Sequence, residues 1–389
     1  MTKLRGRPML AVCVLVTSMV VGAVGTPVGA VDDVDVQAVD GLTLRLMSKY
    51  NVPGAALALI KHGHIVQEKG YGFRDLEAHV SVSTRTLFNI GSISKSFTAL
   101  GIAQLVDQDK VDLDTPVIRY VPDLRLSDLR VSRTVTLRQL LSHTSGFPPD
   151  EQWPGPVPPT RPEIIHEFAT MPITTQPGTQ FQYCSRCVVL AAYILERVTD
   201  QSWETYTRAH IFAPLGMSTA SFAPSALERA IDAARPYRYD ALGQIQVPWG
   251  RLDYLGPLDP AGGIDASVAD MVRYALFQLG DGTMTGGRVI SASMLAELHR
   301  PKIRVGAGWT SAPIQDLRYA LGWFTAEYRG EHLVFHNGAN PGFRASIVLV
   351  PASKTGVVVL TNGDSSAFIN ALTLRLLEEL LGKVPSHHQ

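Results

Sequence analysis

Strand-like segments stand at both ends of this chain with helical ones between them, and this order constrains the architecture more than any other feature. Residues 55–61 and 65–72 read as strands joined at His62-Gly63, a hairpin signal. Strand patterns then return near the C-terminus, over 319–328, 333–336, 344–350 and 356–361. Between them, roughly 88–280, helical periods alternate with Pro-rich loops such as 148–162. Amphipathic helical patterns over 34–50 and 367–381 bracket the whole. The expectation is one sheet built from both termini, an α/β lobe of about 33–87 and 281–389, with a helical lobe of about 88–280 inserted.

The first thirty residues are expected to lie outside that domain of 31–389. Lys3, Arg5 and Arg7 precede an apolar run, and Val28-Gly29-Ala30 offers a small-residue cleavage site. This is the pattern of a secretory signal peptide, with an uncleaved anchor as runner-up, and it implies a secreted, extracellular or periplasmic protein. No later segment is apolar enough for a membrane span. Formal charge is zero with no basic block, which argues against nucleic acid as a partner.

The chemistry concentrates in Phe88-Asn-Ile-Gly-Ser92-Ile-Ser-Lys95, where an extended segment gives way to a run of helix formers. Residues three apart share a helix face, so Lys95 is expected beside the Ser92 hydroxyl. A serine hydroxyl is a weak nucleophile at neutral pH until an adjacent base activates it. Tyr183, at the start of another helical pattern, is a candidate proton shuttle whose pKa the Lys95 cation would lower. His336-Asn337-Gly338-Ala339 ends a strand in a glycine-rich turn, and the backbone N–H groups of Ala339 and Ser92 are candidates for an oxyanion hole. His336 is read as binding a substrate carboxylate or tuning the base. The segment 137–146, which carries His143 and Ser145, reads as a helix ending on Gly146, a structural corner. The eleven histidines contain no His-Glu-x-x-His, so no metal is expected, and no cofactor either.

Taken in order, these segments resemble the serine β-lactamase-like family of class C β-lactamases, D,D-peptidases, D-aminopeptidases and related esterases. The likeness covers about residues 40–380 and includes 137–146, Tyr183 with its following helix, Ala261-Gly-Gly-Ile, His336-Asn-Gly338 with Pro341-Gly-Phe, and the 357–362 strand. It implies an α+β fold, an α/β sandwich whose antiparallel sheet is flanked by N- and C-terminal helices beside an all-helical lobe. It also implies that Ser92 is acylated, that Lys95 and Tyr183 handle its proton, and that His336 and Asn337 line the strand side of the pocket. Substrates would be esters, D-amino-acid peptides or β-lactams.

Two departures stand out. Ser185 occupies the place where the family usually has asparagine, and a hydroxyl offers fewer hydrogen bonds than an amide. Histidine replaces lysine at His336, exchanging a permanent charge for one that titrates near neutrality. Both point toward a peptidase or esterase rather than an efficient β-lactamase, with a slow penicillin- or peptidoglycan-binding sensor as the alternative. Lys354-Thr355-Gly356 spells a β-lactamase motif but falls in a turn and is read as coincidence. Cys184 and Cys187 are read either as a disulfide or as two small packed residues.

Overall fold

In the computed structural model the two ends of the chain do share one sheet, described here over residues 34–152, 157, 160–222, 224–240, 243–306, 308–309 and 314–382. The expected signal peptide over 1–30 lies outside these residues. Helix α1 (Val36–Tyr50) precedes strands β1 (Gly54–Lys61) and β2 (His64–Asp75). The central part contributes α2 (Ser94–Asp107), α3 (Ser185–Thr199), α4 (Leu255–Gly262) and α5 (Val268–Gln278). Strands β3 (Gln315–Tyr319), β4 (Phe324–Tyr328), β5 (Glu331–Asn340), β6 (Phe343–Val350) and β7 (Thr355–Thr361) follow, and α6 (Ser366–Leu380) closes the fold. The nine-stranded antiparallel sheet runs from the short edge strand Ile303–Arg304 through β3, β4, β5, β6, β7, β1 and β2 to Val80–Ser81.

The central strands are apolar throughout because both sheet faces are covered. Successive side chains of a strand point to opposite faces, and here the two sets enter different cores. Ala55, Leu57 and Leu59 of β1 pack with α1 and α6, as do Val357 and Val359 of β7. Ala56, Ala58 and Ile60 face the helical side, joined by Val358, Leu360 and, from β6, Ala345, Ile347 and Leu349. The β1–β2 hairpin turns at His62 (φ 52°) and Gly63 (φ 79°), the two positive angles that a tight hairpin turn requires. Lys354 sits with positive φ in the turn between β6 and β7, as its sequence context indicated.

Two expectations fail locally. The segment 319–328 is not one strand: β3 ends at Tyr319, the chain reverses through Ala320–Trp323, and β4 begins at Phe324. Gly322 makes the reversal possible at φ 75°, and a Cβ there would lie 2.9 Å from the Lys95 carbonyl, so the turn seats directly on α2. The helix expected to end at Gly146 stops earlier, spanning Leu137–Leu141, because His143 takes a left-handed conformation at φ 57°.

Candidate active site

Ser92 lies in a single 3-10 turn, Gly91–Ile93, that leads into α2. Residues 94–105 of α2 are all buried, so Lys95 enters the core with its neighbours. Its Nζ lies 2.9 Å from Ser92 Oγ and donates to the Ala261 carbonyl at 2.8 Å. The ammonium also sits 4.8 Å from the centre of the Tyr183 ring, and Tyr183 lines the same cavities as Ser92. The three side chains expected to converge do so.

Their protonation differs from expectation in one respect. Burial pulls the Lys95 amine down to about 8, against the opposing field of Asp150, so a neutral amine is accessible near neutral pH. Tyr183 was expected to be acidified by the lysine. Instead, desolvation among His143, Trp309 and Tyr319 holds its hydroxyl above the usual range, and the neighbouring Ser92 hydroxyl works the other way. Tyr183 therefore stays protonated at neutral pH and is not a phenolate base.

His336 is also corrected. Burial, reinforced by the Lys95 charge, pushes its imidazole down to about 3, so it is neutral at physiological pH rather than titrating there. Its Nδ1 lies 2.7 Å from the Asn337 carbonyl, which can only accept, so Nδ1 carries the proton and Nε2 accepts from the Tyr319 hydroxyl at 3.1 Å. With both nitrogens engaged and no charge, His336 is unsuited to pairing with a carboxylate.

Strand β5 approaches the Ser92 turn so closely that glycine is obligatory on both sides. A Cβ on Gly338 would lie 1.9 Å from the Ile90 carbonyl oxygen, and one on Gly91 would lie 2.5 Å from the Ala339 nitrogen. This contact sets Ala339 beside Ser92, and both line the same two cavities together with Tyr183. One cavity, about 600 Å³, continues along β5 past Asn337 toward α6. The other, about 390 Å³, contains Lys95, Asp150, Ser185 and Arg186. Ser185 donates its backbone N–H to Asp150 Oδ1 at 2.7 Å. Cys184 and Cys187 form a disulfide, with Cα atoms 5.3 Å apart, at the start of α3.

Two supporting groups escaped the sequence reading. His143, dismissed as part of a corner, is fully buried and grips the chain on both sides of Tyr183. Its carbonyl accepts from Gln182 N at 2.8 Å and its Nδ1 from Cys184 N at 3.2 Å. Its only sequence signal was membership of the 137–146 stretch that carries the family likeness. The second group ties the nucleophile turn to β5. Asn89 Oδ1 accepts from Gly91 N at 3.0 Å and from Asn340 Nδ2 at 2.5 Å, while Asn89 Nδ2 donates to Asp265 at 2.9 Å. Burial raises the Asp265 carboxyl to about 8, leaving it mostly protonated at neutral pH. Among the described residues no cluster of three metal-ligating side chains occurs, and no helix is long and apolar enough to cross a membrane.

Comparison with known proteins bears on the family and the fold. The family model described as Beta-lactamase matches residues 39–381. Penicillin-binding protein 4 of Amycolatopsis lactamdurans is 31% identical over 341 residues, covering 87% of this chain and 88% of that protein. Protein flp of Staphylococcus aureus (strain NCTC 8325 / PS 47) is 28% identical over 354 residues, 90% of this chain and 67% of that protein. Among solved structures, the octameric penicillin-binding protein homologue from Pyrococcus abyssi superposes with a TM-score of 0.78 at 29% identity, over 90% of this chain and 78% of that one. A penicillin-binding protein from Bacillus halodurans shares the fold, with a TM-score of 0.70 at 23% identity over 85% of this chain and 98% of that one.

Proposed function

The chain belongs to the β-lactamase family, and from that membership we propose that it is an exported serine hydrolase that cleaves ester or amide substrates through a Ser92 acyl-enzyme. The observation that carries the reading is the 2.9 Å contact between Ser92 Oγ and a lysine amine whose pKa burial has brought to about 8. The neutral Lys95 amine takes the Ser92 proton as Oγ attacks the carbonyl carbon. The oxygen of the tetrahedral intermediate accepts from the N–H groups of Ser92 and Ala339. The proton then passes from Lys95, with the protonated Tyr183 hydroxyl as relay, to the departing alcohol or amine. Water attacks the acyl-enzyme, the same groups run in reverse, and the Ser92 hydroxyl is restored.

A peptidase or esterase fits better than an efficient β-lactamase. His336 is neutral and saturated with hydrogen bonds, so it supplies no cation for the carboxylate of a β-lactam. Export rests on the N-terminal sequence pattern. A slow binding protein is the second reading, favoured by Ser185, whose short hydroxyl replaces the usual amide in the polar cavity.

The test is a panel of p-nitrophenyl esters, D-amino-acid amides and a chromogenic cephalosporin, run with the parent protein and Ser92→Ala. Turnover of an ester or D-amino-acid amide exceeding that of the cephalosporin, and lost in Ser92→Ala, is expected. A stable Ser92 adduct without turnover favours the binding protein; turnover that survives Ser92→Ala overturns the mechanism.

A further inference from the structure

Resting on the acyl-enzyme reading above, we propose that the larger cavity holds an aliphatic acyl chain, so that medium- to long-chain carboxylic esters are the preferred substrate class. Leu333, Phe335, Asn337 and Ala339 alternate along β5 and therefore share one face of the sheet. On the neighbouring strand Val348 lies opposite Phe335, and Ser346 opposite Asn337, so β6 widens the same floor. Helix α6 adds Leu374 and Leu377, and β3 adds Leu317 at the far end. From Ala339 to Leu333 the floor runs for roughly 20 Å, the rise of six residues in a strand.

Polarity changes along this path. At the Ser92 end the walls offer Asn337 and Ser346, groups suited to the ester itself; farther out the floor is Leu, Phe and Val, and the roof sets the uncharged Asn370 and Thr373 beside Leu374 and Leu377. None of the described lining residues is Asp, Glu, Lys or Arg. The second cavity, which also opens on Ser92, has the opposite character, with Lys95, Asp150 and Arg186. An ester divides at its carbonyl carbon in the same way, into an apolar acyl chain and a polar alcohol. A peptide ending in a free carboxylate would meet no cation in the apolar branch. The slender, uncharged occupant that starts at Ser92 and follows the sheet is an alkyl chain.

The step balances without any further reagent. The Ser92 Oγ–carbonyl bond forms, the carbonyl–alcohol C–O bond breaks, and the Ser92 proton leaves with the alcohol. Water then adds to the carbonyl carbon, frees the fatty acid and returns a proton to Ser92.

The experiment compares p-nitrophenyl esters of two, four, eight and twelve acyl carbons with a parallel series of acetates of lengthening alcohols. On the acyl series kcat/KM is expected to rise about fourfold per added methylene until the groove is filled, the factor that burial of one CH₂ supplies. Leu374→Trp, which fills the groove, is expected to cut the octanoate-to-acetate ratio of kcat/KM at least tenfold, whereas Leu374→Met keeps it. Using a ratio removes any effect of a smaller folded fraction. A ratio unmoved by Leu374→Trp, a flat acyl series, or dependence on the alcohol chain alone would overturn the assignment. Absence of any Ser92-dependent ester turnover would instead sink the hydrolase reading beneath it.

Discussion

Replacing Gly338 by alanine adds one methyl group at the junction on which the proposed oxyanion hole depends. The new Cβ would stand 1.9 Å from the Ile90 carbonyl oxygen, where ordinary contact begins at 3.4 Å, so roughly 1.5 Å must be found by separating β5 from the Ser92 turn. Both partners are backbone, so no flexible side chain can absorb the shift. A misplacement of about 1 Å at a reacting centre costs on the order of 100-fold in rate, and loss of one oxyanion donor costs about 100- to 1000-fold in kcat. Gly338→Ala is therefore expected to lower kcat on the best ester by about 100- to 1000-fold with KM little changed, because the lost interaction is made in the transition state. Overpacking should also destabilise the protein by about 1–3 kcal/mol. Stopped-flow ester hydrolysis and a thermal melt read the two effects separately. A variant that keeps kcat within threefold of the parent and melts at the same temperature would refute the argument that Gly338 sets the distance between β5 and Ser92.

Three further outcomes follow from the same geometry. Only neutral Lys95 accepts a proton, and with its pKa near 8 kcat/KM should climb about tenfold per pH unit from pH 6 and level off above 8. A flat profile, or a step near 6.5 that vanished in His336→Asn, would contradict the protonation states assigned here. Burial raises the folded-state pKa of Asp265 from 3.8 to about 8, so the unfolded chain releases this proton first and the residue costs stability increasingly as pH rises across that window. Asp265→Asn should consequently raise the melting temperature most near pH 8 and hardly at all near pH 4; a pH-independent change would exclude the linkage. Removing the Cys184–Cys187 bridge with Cys184→Ala/Cys187→Ala should cost about 2 kcal/mol by loop entropy and reduce kcat, since Tyr183 is the adjoining residue. Unchanged melting and unchanged kcat would show that the bridge is immaterial.

The sheet is legible in the sequence because its strands announce themselves by composition. Val357 to Leu360 is an uninterrupted apolar run, which a strand buried on both faces requires. The β3–β4 reversal was hidden because Gly322 is a single glycine within an apolar stretch, and what bends the chain there is its seat on α2. In the site, Ser92 and Lys95 were legible because their relation is local, one helical turn. Protonation was not, since it depends on burial by remote segments. Lys95 holds its proton less tightly, Tyr183 keeps its proton and His336 stays neutral because elements far apart in sequence close over them. For the same reason His143 looked like a corner residue: its bonds reach to Gln182 and Cys184, some forty positions away.

The central claim is that Ser92 becomes covalently acylated. Intact-mass analysis of protein quenched during the first turnover of a slow p-nitrophenyl ester, followed by peptide mapping, tests it most directly. One acyl increment is expected on the peptide that carries Ser92, absent from Ser92→Ala. Ester hydrolysis with the acyl group on another residue, or undiminished in Ser92→Ala, would contradict it.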